Sequence, residues 1–264
     1  MKLFFLFFLV ISLQAKKPEL LLLNNYKNDI NTTSWYMSEK LDGIRAFWNG
    51  KELISRSGKI FSVPKFFIKN FPKHELDGEL WSQRNDFSNI VSIVNRKKAD
   101  QRWNQVTYNI FEVPSAKGNL LERLKKVKET QYIKIIKQVE VKSKKHLNQF
   151  LKTIEDKGGE GIVVRDGNIK YYTGRTNNSL KVKSYSDKEC IVIGYNKGKG
   201  KYEGLLGSLS CVMKTKKVIK IGSGFTKEQR VSPPVIGAIV TFKHYGLTSL
   251  GNPRFPIFLR IREQ

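Results

Sequence analysis

A change of texture near residue 184 constrains the fold of this chain more than any single motif does. Up to Ser184, strand-like alternation is interleaved with apolar residues at helical spacing. Beyond it come short apolar runs punctuated by glycines, at residues 189–195, 208–213, 218–221 and 238–245. Short strands at regular intervals with turn residues between them are the pattern of a small barrel. The 264 residues are therefore read as a larger α+β domain over 16–184 and a smaller β-barrel domain over 185–264, joined at Tyr185-Ser186-Asp187.

The first fifteen residues form a third region. After Met1-Lys2, residues 3–13 are apolar except for Ser12, and Gln14-Ala15 then leads into the basic Lys16-Lys17. One positive charge, an apolar run and a small residue at the cut site make a secretory signal peptide, with cleavage expected after Ala15. The run is too short to span a bilayer as a stable helix. An exported protein without stable membrane association after cleavage is the expectation.

Lys and Arg total 48 against 23 Asp and Glu, a formal net charge of +25. Both domains share the excess, so the partner is expected to be a polyanion touching both, nucleic acid before an anionic membrane surface. Hydrophobic content of 40% and aromatic content of 11% exclude a disordered polycation. Cys190 and Cys211 could pair in an oxidising compartment. A chain with a sizeable core does not need a disulfide, however, and two buried free thiols are expected. With His74, His146 and His244 they make no zinc spacing.

Within the larger domain, residues 35–40 read as a strand, Asp42-Gly43 as the turn closing it, and residues 44–54 as a hairpin around Asn49-Gly50. Residues 61–71 have helical spacing around Pro64. Glu75-Leu76-Asp77-Gly78-Glu79-Leu80-Trp81 reads as strand, turn and strand. Helices are expected over 87–94, 119–128 and 146–156, and strands over 106–113, 132–141, 161–165 and 180–183.

The chemistry centres on Ser38-Glu39-Lys40-Leu41-Asp42-Gly43-Ile44-Arg45. A lysine at a strand end beside a tight turn is a candidate nucleophile, a role that needs its amine deprotonated by desolvation or by neighbouring cations. Single motifs of this size arise by chance, and Asp-Gly is commonly a plain turn. The order of the motifs along the chain is far more specific. Lys40 to Arg45, Ser55-Arg56-Ser57-Gly58, Glu75 to Leu80, Tyr108 to Glu112, Glu160 to Arg165 and Leu180 to Lys183 resemble the successive motifs of covalent nucleotidyltransferases. That superfamily comprises DNA ligases, RNA ligases and capping enzymes. Leu206 to Leu209, Gly222 to Thr226 and Arg254 to Arg262 are similar to the OB-fold of ATP-dependent DNA ligases.

The resemblance implies a nucleotidyltransferase (ATP-grasp-like ligase) domain with antiparallel sheets plus a C-terminal OB-fold barrel, acting as a monomer on nicked double-stranded DNA. With its exported N-terminus the chain resembles the minimal periplasmic bacterial type. By the same resemblance Lys40 carries AMP taken from ATP, and Arg45, Arg56 and Glu79 bind the nucleotide, Arg56 also serving the 5′-phosphate. Phe111 stacks on adenine, while the backbone beside Ser38 and Glu39 reads its edge. Glu79 and Glu160 hold Mg²⁺ or Mn²⁺. Lys181 and Lys183 contact the α-phosphate and supply the cations near Lys40. Glu112 stands where Asp is commoner, which leaves its role open. The alternatives are an RNA ligase or other covalent nucleotidyltransferase, or an inactive secreted basic DNA-binding protein. NAD is disfavoured as donor because no upstream domain is present to hold its nicotinamide half.

Overall fold

Alternating apolar residues place two five-stranded sheets in the first part of the chain and a third in the second. The structure is a computed structural model that describes residues 16–248 and 250–262. The expected leader, residues 1–15, lies outside the described residues. The chain folds as two units, one ending at Val182 and one beginning at Lys183.

The first unit contains β1 (Leu21–Asn25), β2 (Tyr36–Glu39), β3 (Ile44–Trp48), β4 (Leu53–Ser55), β5 (Leu76–Trp81), β6 (Thr107–Glu112), β7 (Ile133–Ile135), β8 (Val139–Glu140), β9 (Ile162–Arg165) and β10 (Gly174–Val182). One sheet has the order β1-β10-β9-β2-β8 and the other β4-β3-β5-β6-β7. The pairings are antiparallel except for β1 with β10 and β6 with β7. Helices α1 (Lys65–Ile68), α2 (Phe87–Val94), α3 (Leu120–Leu124) and α4 (Lys144–Asp156) cover the outer faces.

Each sheet buries one face under helices and turns the other toward its partner. Met37, Ile162, Val164 and Val182 pack with Leu147, Leu151 and Ile154 of α4. The spacing of those three α4 residues puts them on one face of the helix, and Ser143 caps its first turn by accepting from His146 N–H. The second sheet packs Ala46, Trp48, Leu76, Leu80, Tyr108 and Ile110 against a core that includes Ile90, Ile93, Leu120 and Leu124. Asn119 and Glu122 form a capping box on α3. That helix is shorter than its amphipathic run suggests.

Three expectations are corrected in this unit and the next. Residues 75–81 are not strand, turn and strand, because Leu76–Trp81 is one continuous strand. Gly78 is there for a close approach: a Cβ would lie 2.7 Å from the Asn109 carbonyl oxygen and 2.8 Å from the Tyr108 ring. The run 132–141 is two strands in different sheets, because the chain leaves β7 beside β6 and pairs next with β2 as β8. Cys190 and Cys211 are not free thiols but a disulfide, with their Cα atoms 5.6 Å apart.

The second unit has β11 (Ser186–Lys197), β12 (Leu206–Met213), β13 (Val218–Ile221), β14 (Ile239–His244) and β15 (Ile257–Ile261), with α5 (Lys227–Val231) between β13 and β14. Their order is β13-β12-β11-β14-β15, and a parallel bridge from Ser223 to Ile257 joins the two ends. This closure protects the edges as a barrel does. Inside lie Val192, Leu209, Ile221, Val240, Phe242 and the disulfide. Buried Arg230 of α5 donates to the carbonyls of Leu206, Gly207 and Gly222. Its guanidinium carbon lies 4.0 Å from the centroid of the Tyr202 ring.

Candidate functional site

The facing surfaces of the first unit's two sheets carry the chemistry. Antiparallel partners directly opposite one another share a face, so Ser38 lies beside Val163 and Lys181 across β2, β9 and β10. Lys40 follows in the same parity, its backbone N–H donating to the Gly161 carbonyl at 2.9 Å. Its Nζ donates to Glu160 Oε2 at 2.5 Å. The two side chains keep 25% and 15% exposure, so a ligand can reach the pair.

On the opposing sheet, Arg45 of β3 faces Glu79 of β5. Asp77 is two residues before Glu79 and therefore on the same face. Asp77 is fully buried and accepts both forks of Arg45, at 3.0 Å and 2.6 Å. Arg45 also donates to the Leu21 carbonyl of β1 in the other sheet, at 2.6 Å. Burial pushes the Asp77 carboxyl up, against the lowering effect of Arg45.

Glu79 is pushed up to about 8, chiefly by burial, with the charges of Lys40 and Arg45 opposing and those of Glu160 and Asp77 adding to the rise. At neutral pH with no ligand bound, it carries a proton much of the time. A carboxyl whose charge is disfavoured by burial and by a neighbouring carboxylate is a fitting place for a divalent cation. Mg²⁺ typically takes one or two protein carboxylates together with substrate phosphates. Among the described residues, no cluster of three or more His, Cys, Asp or Glu side chains forms an all-protein cage. Glu79 and Glu160 therefore suit an ion that shares its shell with a nucleotide.

A bulge brings Phe111 into the cleft. On β6, Ile110 pairs with Gly78 and Glu112 with Asp77, leaving Phe111 as the extra residue. Such a bulge re-aims a side chain. The Phe111 ring lies 5.2 Å from the Arg45 guanidinium carbon and 5.9 Å from that of Arg165. Arg165 ties the sheets together by donating to the Phe111 carbonyl at 2.6 Å. Glu112, whose role the sequence left open, is buried between Arg123, at 2.8 Å, and Arg165, at 3.4 Å.

The other expected residues are more dispersed. Glu39 is held by Arg84. Arg56 stands exposed on the turn after β4. Lys183 opens the second unit, its Nζ 5.9 Å from the centroid of Tyr245. Sequence reasoning missed Asp77, Arg84 and the Glu112–Arg123–Arg165 cluster. Reading residues 76–81 as one strand would have put Asp77 beside Glu79 by parity alone.

Comparison with known proteins shows the family. Residues 22–183 match the ATP dependent DNA ligase domain, and residues 197–262 match the DNA ligase OB-like domain. The chain is 44% identical to a DNA ligase of Haemophilus influenzae (strain ATCC 51907 / DSM 11121 / KW20 / Rd) over 261 residues, 97% of this chain and 96% of that one. A solved structure from a structure–function analysis of Lig E DNA ligases superposes with a TM-score of 0.86 at 36% identity, covering 93% of this chain and 99% of the other. A Chlorella virus DNA ligase–adenylate shares the fold, with a TM-score of 0.55 at 24% identity, over 94% of this chain and 99% of that one. A cleft that ties a reachable lysine to a carboxylate thus occurs in a chain matched almost end to end, and the protein belongs to the ATP-dependent DNA ligases.

Proposed function

We propose that the chain seals nicks in duplex DNA through an AMP carried on Lys40. Family membership makes nick sealing the expected function, and the observation that supports Lys40 as carrier is its side chain, held by Glu160 in the cleft between the sheets. The Lys40 amine, once it has released its proton, attacks the α-phosphorus of ATP. A nitrogen–phosphorus bond forms and pyrophosphate leaves. AMP then passes to the 5′-phosphate at the nick, and the 3′-hydroxyl displaces it. Splitting one hard step into easier ones is what a covalent relay provides.

Before nucleotide binds, Glu160 fixes the position of the amine. Arg45 is itself fixed by Asp77 and Leu21, and it holds one side of the nucleotide pocket rigid. Phe111 offers its ring to the adenine, and the β2 backbone at Ser38 and Glu39 meets the base edge. Lys181, on the cleft face with Ser38, attracts the α-phosphate, with Lys183 and Arg56 assigned to phosphates by family resemblance. Mg²⁺ or Mn²⁺ bound by Glu79 and Glu160 would neutralise charge on the attacked phosphate. The net charge of +25 suits a DNA backbone, with binding that weakens steeply as salt rises.

We read the protein as a monomer exported to the periplasm. The apolar leader and the buried Cys190–Cys211 disulfide support an oxidising compartment. No described helix is long and apolar enough to cross a membrane. A reporter fused after the first fifteen residues should appear in the periplasmic fraction.

Incubation with α-labelled ATP and Mg²⁺ should label the wild-type chain and leave Lys40→Ala unlabelled. Retention of the label in the variant would sink the assignment. Sealing of nicked DNA should exceed sealing of nicked RNA, and ATP should outperform GTP.

A further inference from the structure

We propose that Arg84 is a positioning residue for the Lys40–Glu160 pair, acting through Glu39. The inference rests on the reading of Lys40 as the AMP carrier. Arg84 follows β5, the strand that supplies Glu79, and Glu39 immediately precedes Lys40 on β2. Arg84 Nε donates to one Glu39 oxygen at 2.8 Å, and a terminal nitrogen donates to the other at 2.7 Å. Both carboxylate oxygens are engaged in a planar fork, a geometry that fixes direction as well as distance.

The same junction supports the loop carrying Glu160. Asn85 adopts a left-handed φ of 61°, a conformation asparagine tolerates. It sits beside Gly158, where an added Cβ would come within 2.7 Å of the Asn85 amide nitrogen. A Cβ on Gly159 would lie 3.1 Å from Glu39 Oε1 and 2.9 Å from the Ile154 carbonyl oxygen. Gly159 N–H donates to that carbonyl at 2.9 Å. The two glycines thus let the loop lie directly against the Arg84–Glu39 pair and the turn behind it. Glu160 comes next in the chain, and Gly161 accepts from Lys40 N–H. Three segments meet here, and between them they carry Glu79, Lys40 and Glu160.

Exposure separates positioning from mere stabilisation. The Arg84 and Glu39 side chains remain 32% and 17% exposed. A partly solvated pair adds little to folding, whereas small displacements of reacting groups cost rate steeply. Removing Arg84 should therefore shift the thermal midpoint by no more than about 4 °C. It should still let the end of β2 and the Glu160 loop move apart.

The test measures single-turnover labelling of the full chain with α-labelled ATP and Mg²⁺. Arg84→Ala should slow labelling at saturating ATP by about tenfold to a hundredfold. The ATP concentration for half-maximal rate should change by less than about threefold. Arg84→Lys should recover only part of the rate, because an ammonium cannot reproduce the planar fork. Glu39→Gln weakens the pair while keeping its shape and should lower the rate in the same way, which preserves the test if Arg84→Ala does not fold. Wild-type rates in Arg84→Ala, or in Glu39→Gln should the former not fold, would overturn the inference, as would a loss confined to half-saturation. An unlabelled wild type, or a labelled Lys40→Ala, would instead overturn the reading of Lys40.

Discussion

The larger unit sets its buried arginines against carboxylates, whereas Arg230 in the smaller unit lies between rings and donates to three backbone carbonyls. In the first unit Arg45 meets Asp77, and Arg123 and Arg165 meet Glu112. Arg45 and Arg165 both reach the Phe111 ring, while Glu112 and Arg123 are almost wholly buried. Taking such charges out of water is costly unless each is matched, so the first unit depends on every partner being present. The second unit is a small barrel with less core to bury, and it adds a covalent staple instead, as small domains tend to do. Charge matching thus marks the larger unit, and cross-linking the smaller.

All four tryptophans, Trp35, Trp48, Trp81 and Trp103, fall in the larger unit, so their fluorescence reports its unfolding separately. The largest expected effect is from Glu112→Gln, which leaves two buried guanidiniums without their counter-charge. It should cost the tryptophan-reported transition about 3–5 kcal/mol, measured by urea titration. The barrel's transition, followed by far-UV circular dichroism, should stay where it was. An equal loss in both would break the contrast between the units.

Removing the staple should do the reverse. The cysteines are 21 residues apart, and replacing both by alanine should cost the barrel about 3 kcal/mol. The tryptophan signal should be unmoved, and a shift in it would show that the units do not unfold separately.

The smallest effect sharpens the account of the cleft. In the folded protein Glu79 titrates at about 8, against an ordinary value of 4.5, so the folded state keeps its proton longer than the unfolded state does. Stability from this group is therefore present at low pH and lost as pH rises between those values. Glu79→Gln cannot ionise. At pH 9, without nucleotide or metal, it should melt above wild type by about 1–3 kcal/mol in the tryptophan-reported transition. Near pH 4 the two should nearly coincide, and a constant gap at every pH would remove the titration of Glu79 as the cause.

Much of this arrangement was legible in the residues, but unevenly. The strand ending at Lys40, the hairpin after it and the helix over 87–94 followed from periodicity, which local sequence determines. The family followed from the order of short motifs. Asp77 was hidden because Gly78 looks like a turn residue, while its actual reason is a neighbouring strand brought in from residues 108 and 109. Arg84 was hidden for a similar cause: its partner is 45 positions away. Glu112 looked like a departure from pattern. Among the side chains around it, two buried arginines account for a buried acid there. The disulfide was undecidable because spacing says nothing about which cysteines a barrel brings together.

The pairing of β1 with β10 sets a timetable. Leu21 to Asn25 lie alongside Gly174 to Lys181, so one edge of the first sheet is made from chain ends that are born far apart in time. Whatever delivers the polypeptide from its N-terminus presents β1 well before its partner exists. Until roughly the last strand of the first unit has emerged, that edge stays unzipped, and Arg45 lacks the Leu21 carbonyl placed by this pairing. The barrel waits less, since β11 meets β14 over a much shorter stretch of chain than separates β1 from β10. The first sheet is therefore completed only when its own final strand arrives.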